Sequence, residues 1–197
     1  MRTRLHRETW RSTPPRATVL SALRPWLTDP ASLTSRIRAR CTRFSVQLLG
    51  QRLGRALNDE AVLLGLHAGE LVWVREVLLL ADGRPVVFAR SLLPRCNLRG
   101  AWNLFHGFGA RSLGLALFAD PAIRRTALAC ARLDRRDARH RRAQQALHPC
   151  DALPLPATLW ARRSVFVLRG RALMVSEIFL PAILDLPRRA RPALPSS

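Results

Sequence analysis

Three stretches of the chain place an ionised side chain in the middle of an apolar stripe. Successive side chains alternate across a β-strand, so residues 71–79 put Leu71, Trp73, Arg75, Val77 and Leu79 on one face. By the same rule residues 173–179 align Leu173, Val175, Glu177 and Phe179, and residues 86–92 align Val86, Phe88, Arg90 and Leu92. A charge buried on such a face without a partner costs roughly several kcal/mol, so each of the three needs one. Two arrangements meet that need. Arg75 and Glu177 can neutralise each other inside the core. Alternatively, all three line a closed polar pocket in which Arg75 and Arg90 meet ligand carboxylates and Glu177 takes a hydroxyl or a proton. Glu76 lies on the opposite face with Val74 and Leu78, and it is expected in a structural pair or facing water.

Other chemistries are excluded by residue type. All 33 positive charges are arginine, and the 197-residue chain has neither lysine nor tyrosine. Schiff-base lysines, a pyridoxal-phosphate anchor, a phosphate-loop lysine and a tyrosine acid or base are therefore ruled out. Cys41, Cys96, Cys130 and Cys150 never form C-x-x-C, and the histidines never form H-E-x-x-H. No zinc site or disulfide scaffold is expected from such spacing. The stretch from Gly107 to Gly114 lacks the G-x-G-x-x-G spacing of a dinucleotide site and follows no strand. It reads as a flexible connector or as an anion-accepting turn before a helix. His106 beside it is a structural histidine or a general base. The five tryptophans have no regular spacing and read as anchors, not as a stacking platform for bases.

These residues need elements to hold them. LVWVREVLLL and VVFARSLLP flank Asp82-Gly83, a turn pair whose glycine accepts positive φ, and so predict a β-hairpin. A second hairpin is expected over SVFVLRG-RALMVSEIFLP, bending at Gly170 and stopping at Pro181. Phe44, Val46 and Leu48 alternate as a further strand. Helical patterns cover 17–27 and 32–40, the latter capped by Ser32. Residues 100–133 read as helix broken by glycines, and 134–158 as a long arginine- and proline-rich loop inserted before the second hairpin. Residues 1–15 and 188–197 read as mobile tails around one domain spanning 16–187. Hairpins with intervening helices give an α+β fold with an antiparallel sheet.

The net charge of +20 suggests nucleic acid until its distribution is read. Residues 1–55 hold twelve arginines against Glu8 and Asp29, and residues 121–142 hold eight against Asp134 and Asp137. Residues 60–120 carry six arginines and five acids. The excess thus sits away from the strand-rich centre, and arginine without lysine also follows from GC-rich coding. No specific nucleic-acid partner is expected. No run reaches about 18 apolar residues, so no transmembrane segment is expected, and the arginine-rich start is not followed by a signal-peptide core. A cytoplasmic monomer is the expectation.

Five motifs, in order, carry a family resemblance: V-R-E-V-L-L-L-A-D-G-R-P (74–85), R-S-L-L-P (90–94), S-L-G-x-x-L-F (112–118), L-W-A-R-R-S (159–164) and S-E-I-F-L-P (176–181). The chain resembles the chorismate pyruvate-lyases of bacterial ubiquinone synthesis over 71–133 and 159–181, and more weakly over 26–49. The resemblance implies conversion of chorismate to 4-hydroxybenzoate and pyruvate with no metal or cofactor. It implies about six antiparallel strands, with the ligand enclosed under helical flaps. It also implies that Arg75 binds the ring carboxylate, that backbone amides at Leu113 and at a flap residue matching Leu33 assist, and that Glu177 holds the ring hydroxyl. Leu33 stands where the family usually has methionine, which a backbone contact tolerates. Arg90 is then expected at the enolpyruvyl carboxylate. A rival from another class is a non-catalytic sensor, since effector domains of GntR-type repressors resemble this fold. Residues 1–40, however, are poorly patterned for a winged helix.

Overall fold

The computed structural model describes residues 10–15, 19–98, 100–103, 107, 112–147 and 154–187. The expected tails at 1–9 and 188–197, His106, the 108–111 stretch and Cys150 lie outside the described residues.

Both expected hairpins are present. β2 (Leu71–Ala81) and β3 (Arg84–Pro94) are joined through Asp82 and Gly83, at φ of 50° and 81°. β6 (Thr158–Leu168) and β7 (Arg171–Phe179) are joined through Arg169 and Gly170, at 50° and 73°. Two successive left-handed residues twist a tight turn in the sense of the strands they connect. β1 (Phe44–Arg55) extends the alternating pattern begun at Phe44 into a twelve-residue edge strand on β2. The hairpins meet along β3 and β7. β4 (Arg124–Arg125) and β5 (Ala129–Asp134) then both line the outer edge of β6. The result is a seven-stranded antiparallel sheet in the order β1-β2-β3-β7-β6-β4, with β5 beside β4 on the same edge. Its six columns match the expected α+β sheet, and the seventh strand comes from the break in the last column.

One face carries three short helices, α1 (Arg24–Thr28), α2 (Leu33–Arg38) and α4 (Leu113–Ala119). Ser32 caps α2 as expected, its Oγ accepting from the Ser35 amide at 3.3 Å, and Ser112 caps α4 by accepting from Leu115 at 3.3 Å. Leu27, Leu33 and Ile37 bury against Val77, Leu79 and Val87. The opposite face is covered by α3 (Asn58–Leu64), packed with Val74, Leu92 and Met174, and by α5 (Ala138–Leu147), packed with Phe88, Leu159 and Ile178.

Three expectations need correction. Within 134–158, α5 replaces much of the expected loop. Asp137 caps it, and its buried stripe is Arg139, His140, Ala143 and Leu147. Half of that stripe is polar, which hides it from an apolar count. Within 100–133, only Leu113–Ala119 is α-helical among the described residues, and the small residues at 129–131 instead pair with β6. From Trp10 onward the N-terminal segment is docked, not a free tail. Arg11 exchanges backbone hydrogen bonds with Cys130 at 2.8 and 2.7 Å. Trp10 donates to Asp59 at 3.0 Å and stacks on Arg163 at 4.0 Å.

Candidate active site

Hairpin register decides which charges share a face. Arg75 lies opposite Ser91, Ser91 opposite Val175 and Val175 opposite Ser164, making one row across β2, β3, β7 and β6. The next row is Val77, Ala89, Glu177 and Arg162. Above these rows lies a pocket whose floor is Arg75, Ser91, Val175, Ser164 and Glu177, with Val77 and Ala89 between them. Its roof is Leu33 and Thr34 of α2 and Ser112, Leu113, Gly114 and Leu117 of α4, and its wall at the β4 edge is Phe118, Phe166 and Arg125.

Arg75 is only 2% exposed, and burial pulls its guanidinium down to about 10. It is still a cation at neutral pH, in a buried site where a ligand carboxylate would be a strong counter-charge. The expected alternative of an Arg75–Glu177 pair is replaced by another one. Glu177 Oε2 accepts from Arg162 Nε at 2.6 Å, while Arg162 Nη1 donates to the carbonyls of Trp26 and Asp29 at 2.9 Å each. Arg162 thus fixes Glu177 and ties it to the chain that carries α2. Among the described residues Glu177 Oε1 accepts no hydrogen bond, and the side chain lines the pocket.

Leu33 and Leu113 are the first residues of α2 and α4. Amides in that position have no carbonyl within their own helix. The two helix starts are pinned together, Ser112 Oγ donating to Thr34 Oγ1 at 3.1 Å. A Cβ on Gly114 would stand 2.7 Å from Thr34 Oγ1, so glycine permits the close approach.

Arg90 is the correction. It is 1% exposed and points to the other face. There it donates to Glu76 at 2.8 Å, to Glu60 at 3.2 and 3.3 Å, and to the Arg55 carbonyl at 3.3 Å. Arg142 of α5 also donates to Glu76, at 2.7 Å. Glu76 is in the structural pair expected of it, and Arg90 is its partner. The reason is a bulge. An unbroken two-residue hairpin would set Arg90 opposite Arg75, but Leu80 pairs with Pro85 and Leu79 with Val87, leaving Val86 as the extra residue. One inserted residue flips every following side chain.

The pocket's second cation is Arg125, which sequence reading missed. β4 is two residues long, too short for a detectable alternation, and Arg124-Arg125 reads as one charge among many. Arg125 Nε donates to Ser164 Oγ at 2.8 Å and Nη1 to the Pro30 carbonyl at 2.6 Å. Burial lowers its ordinary value, against the pull of Glu177, to about 10.

A family model described as chorismate lyase matches residues 4–188. The chain belongs to the chorismate lyase family. A probable chorismate pyruvate-lyase of Aromatoleum aromaticum is 65% identical over 187 residues, 95% of this chain and all of the relative. One from Azoarcus sp. is 60% identical over 181 residues, covering 91% of this chain and 94% of its own. Two solved structures resemble the chain more distantly. PhnF from Mycobacterium smegmatis superposes with a TM-score of 0.56 at 20% identity, over 77% of this chain and 64% of that one. The ligand-binding domain of a GntR-family regulator from Bordetella bronchiseptica gives 0.50 at 21% identity, over 77% and 89%. Those likenesses are of fold, and it is the chorismate lyase sequences that match nearly the full length. Among the described residues of this family member, no helix is long and apolar enough to cross a membrane.

Proposed function

We propose that the protein is a chorismate pyruvate-lyase, converting chorismate to 4-hydroxybenzoate and pyruvate as the first committed step of ubiquinone synthesis. The carrying observation is a buried cation, Arg75, and the carboxylate of Glu177, one of whose oxygens accepts no hydrogen bond among the described residues, two strands apart on one pocket floor. That spacing suits a six-membered ring bearing a carboxylate at one end and a hydroxyl at the other.

In this reading Arg75 holds the ring carboxylate, assisted by the amides of Leu33 and Leu113, and Glu177 receives the ring hydroxyl. The bond from the ring to the ether oxygen breaks, its electron pair leaving with enolpyruvate. The adjacent ring C–H that bears the hydroxyl gives up its proton, and its electrons complete the aromatic ring. Enolpyruvate then takes a proton to become pyruvate. Aromaticity drives the step, so the protein's contribution is to orient the ring, exclude water and stabilise charge on the leaving group. Purified protein incubated with chorismate alone should release 4-hydroxybenzoate and pyruvate in equal amounts, faster than uncatalysed breakdown. Saturable 4-hydroxybenzoate binding without turnover would instead support a sensor.

A further inference from the structure

Chorismate carries two carboxylates, and the reading above gives a counter-charge to only one of them. We infer that Arg125 is the receptor for the second, the carboxylate of the enolpyruvyl group, and that it selects substrate over product. The inference rests on the lyase reading for its substrate, and on the following geometry for its place.

Arg75 and Ser164 close opposite ends of one row, three strand spacings or about 14 Å apart. Arg125 extends that row through its hydrogen bond to Ser164, so the pocket has a guanidinium at each end. With the ring carboxylate on Arg75 of β2 and the hydroxyl on Glu177 of β7, the ether carbon next to the hydroxyl falls at the β7 end. The enolpyruvyl group then projects toward β6 and β4, where Arg125 lines the wall. Its guanidinium is fixed there by four contacts: Ser164, the Pro30 carbonyl, and the rings of Phe118 and Phe166 at 5.3 and 5.4 Å. Among the described residues its Nη2 carries no hydrogen bond, which leaves donors for a ligand. As the ether bond breaks, negative charge grows on the enolpyruvate, so a preset cation beside it acts on the transition state as well as on the substrate. The product, 4-hydroxybenzoate, has nothing to offer Arg125.

The test separates this role from the strap contact that Arg125 makes through Pro30. Wild type, Arg125→Gln and Arg125→Lys would be compared in chorismate turnover and in calorimetric binding of two probes, 4-hydroxybenzoate and 3-(carboxymethoxy)-4-hydroxybenzoate. The second probe carries the extra carboxylate and needs no turnover. Loss of a charge-assisted contact predicts a roughly 10- to 100-fold fall in kcat/KM and in dicarboxylate affinity for Arg125→Gln. Affinity for 4-hydroxybenzoate should change less than about threefold, and Arg125→Lys should recover most of the loss. Equal weakening of both probes, or of neither, overturns the inference. A wild type that prefers the dicarboxylate through Arg125 yet never turns over chorismate overturns the lyase reading and leaves the receptor role standing.

Discussion

Arg75 and Arg90 are both nearly inaccessible to water, and they do opposite jobs because of their surroundings. Arg90 meets two carboxylates and a carbonyl in a filled network, whereas Arg75 lines a cavity. Arg90→Met should therefore strand the fully buried Glu60 and leave Glu76 to Arg142, a loss of about 3–5 kcal/mol, read as a fall of roughly 6–20 °C in the thermal midpoint. Arg75→Ala leaves Glu177 still held by Arg162. Its main effect should be product affinity, weakened roughly 10- to 100-fold in titration. An unchanged affinity in a folded variant would remove Arg75 from the site. Glu177→Gln keeps the shape and loses the charge, and wild-type product affinity there would make the carboxylate structural. The pH dependence has a definite sign. Arg75 and Arg125 are cations up to about 10; benzoate offers its one carboxylate to Arg75 and has no phenol to titrate, so its affinity should be flat from about pH 7 to 9 and fall as pH passes about 10. Folded stability, by contrast, should not fall on account of these two groups over that rise. Their folded values are lowered, so charging them opposes folding below about 10, and that cost is relieved above it.

At the scale of elements, legibility followed the number of residues that repeat a pattern. The two hairpins were readable because ten or more alternating residues flank a turn pair with a conformational reason to bend. Arg75 and Glu177 stood out on them as charges inside apolar stripes. The bulge at Val86 rests on a single residue. Its only sequence sign is Pro85, which has no N–H to give the ladder and so belongs at edges and bulges. Missing that sign put Arg90 on the wrong face, while β4 was too brief to show Arg125 at all. The contact between α2 and α4 is equally local. Gly114→Ala would drive a methyl to 2.7 Å from the Thr34 hydroxyl, parting the two helix starts that roof the pocket. Product affinity should fall about tenfold or more, with the thermal midpoint changed far less, because the contact lies at the roof and outside the apolar clusters that hold the sheet. A midpoint loss as large as that of Arg90→Met would show instead that the helix contact supports the whole fold.

For the whole molecule, the question is how a ligand leaves a pocket roofed by its own helices. The chain from α1 to α2 is fastened to the sheet by Arg162 through Trp26 and Asp29 and by Arg125 through Pro30, and to α4 by the Thr34–Ser112 hydrogen bond. Arg125 stands in the pocket wall and Arg162 holds Glu177 of the floor, so opening the roof disturbs residues that would hold the ligand. Opening should then be slower than an elimination driven by aromaticity, and release should limit turnover. Rapid mixing of enzyme with excess chorismate should show a burst of about one 4-hydroxybenzoate per site before a slower steady rate. Thr34→Val removes the one fastener that touches neither Arg125 nor Arg162 while keeping the side chain's shape. A single hydrogen bond of about 0.5–1.5 kcal/mol should make release, and with it the steady rate, roughly two- to tenfold faster and shrink the burst. A wild type without a burst, or a Thr34→Val enzyme whose steady rate falls with its burst intact, would place the slow step in the chemistry instead of the roof.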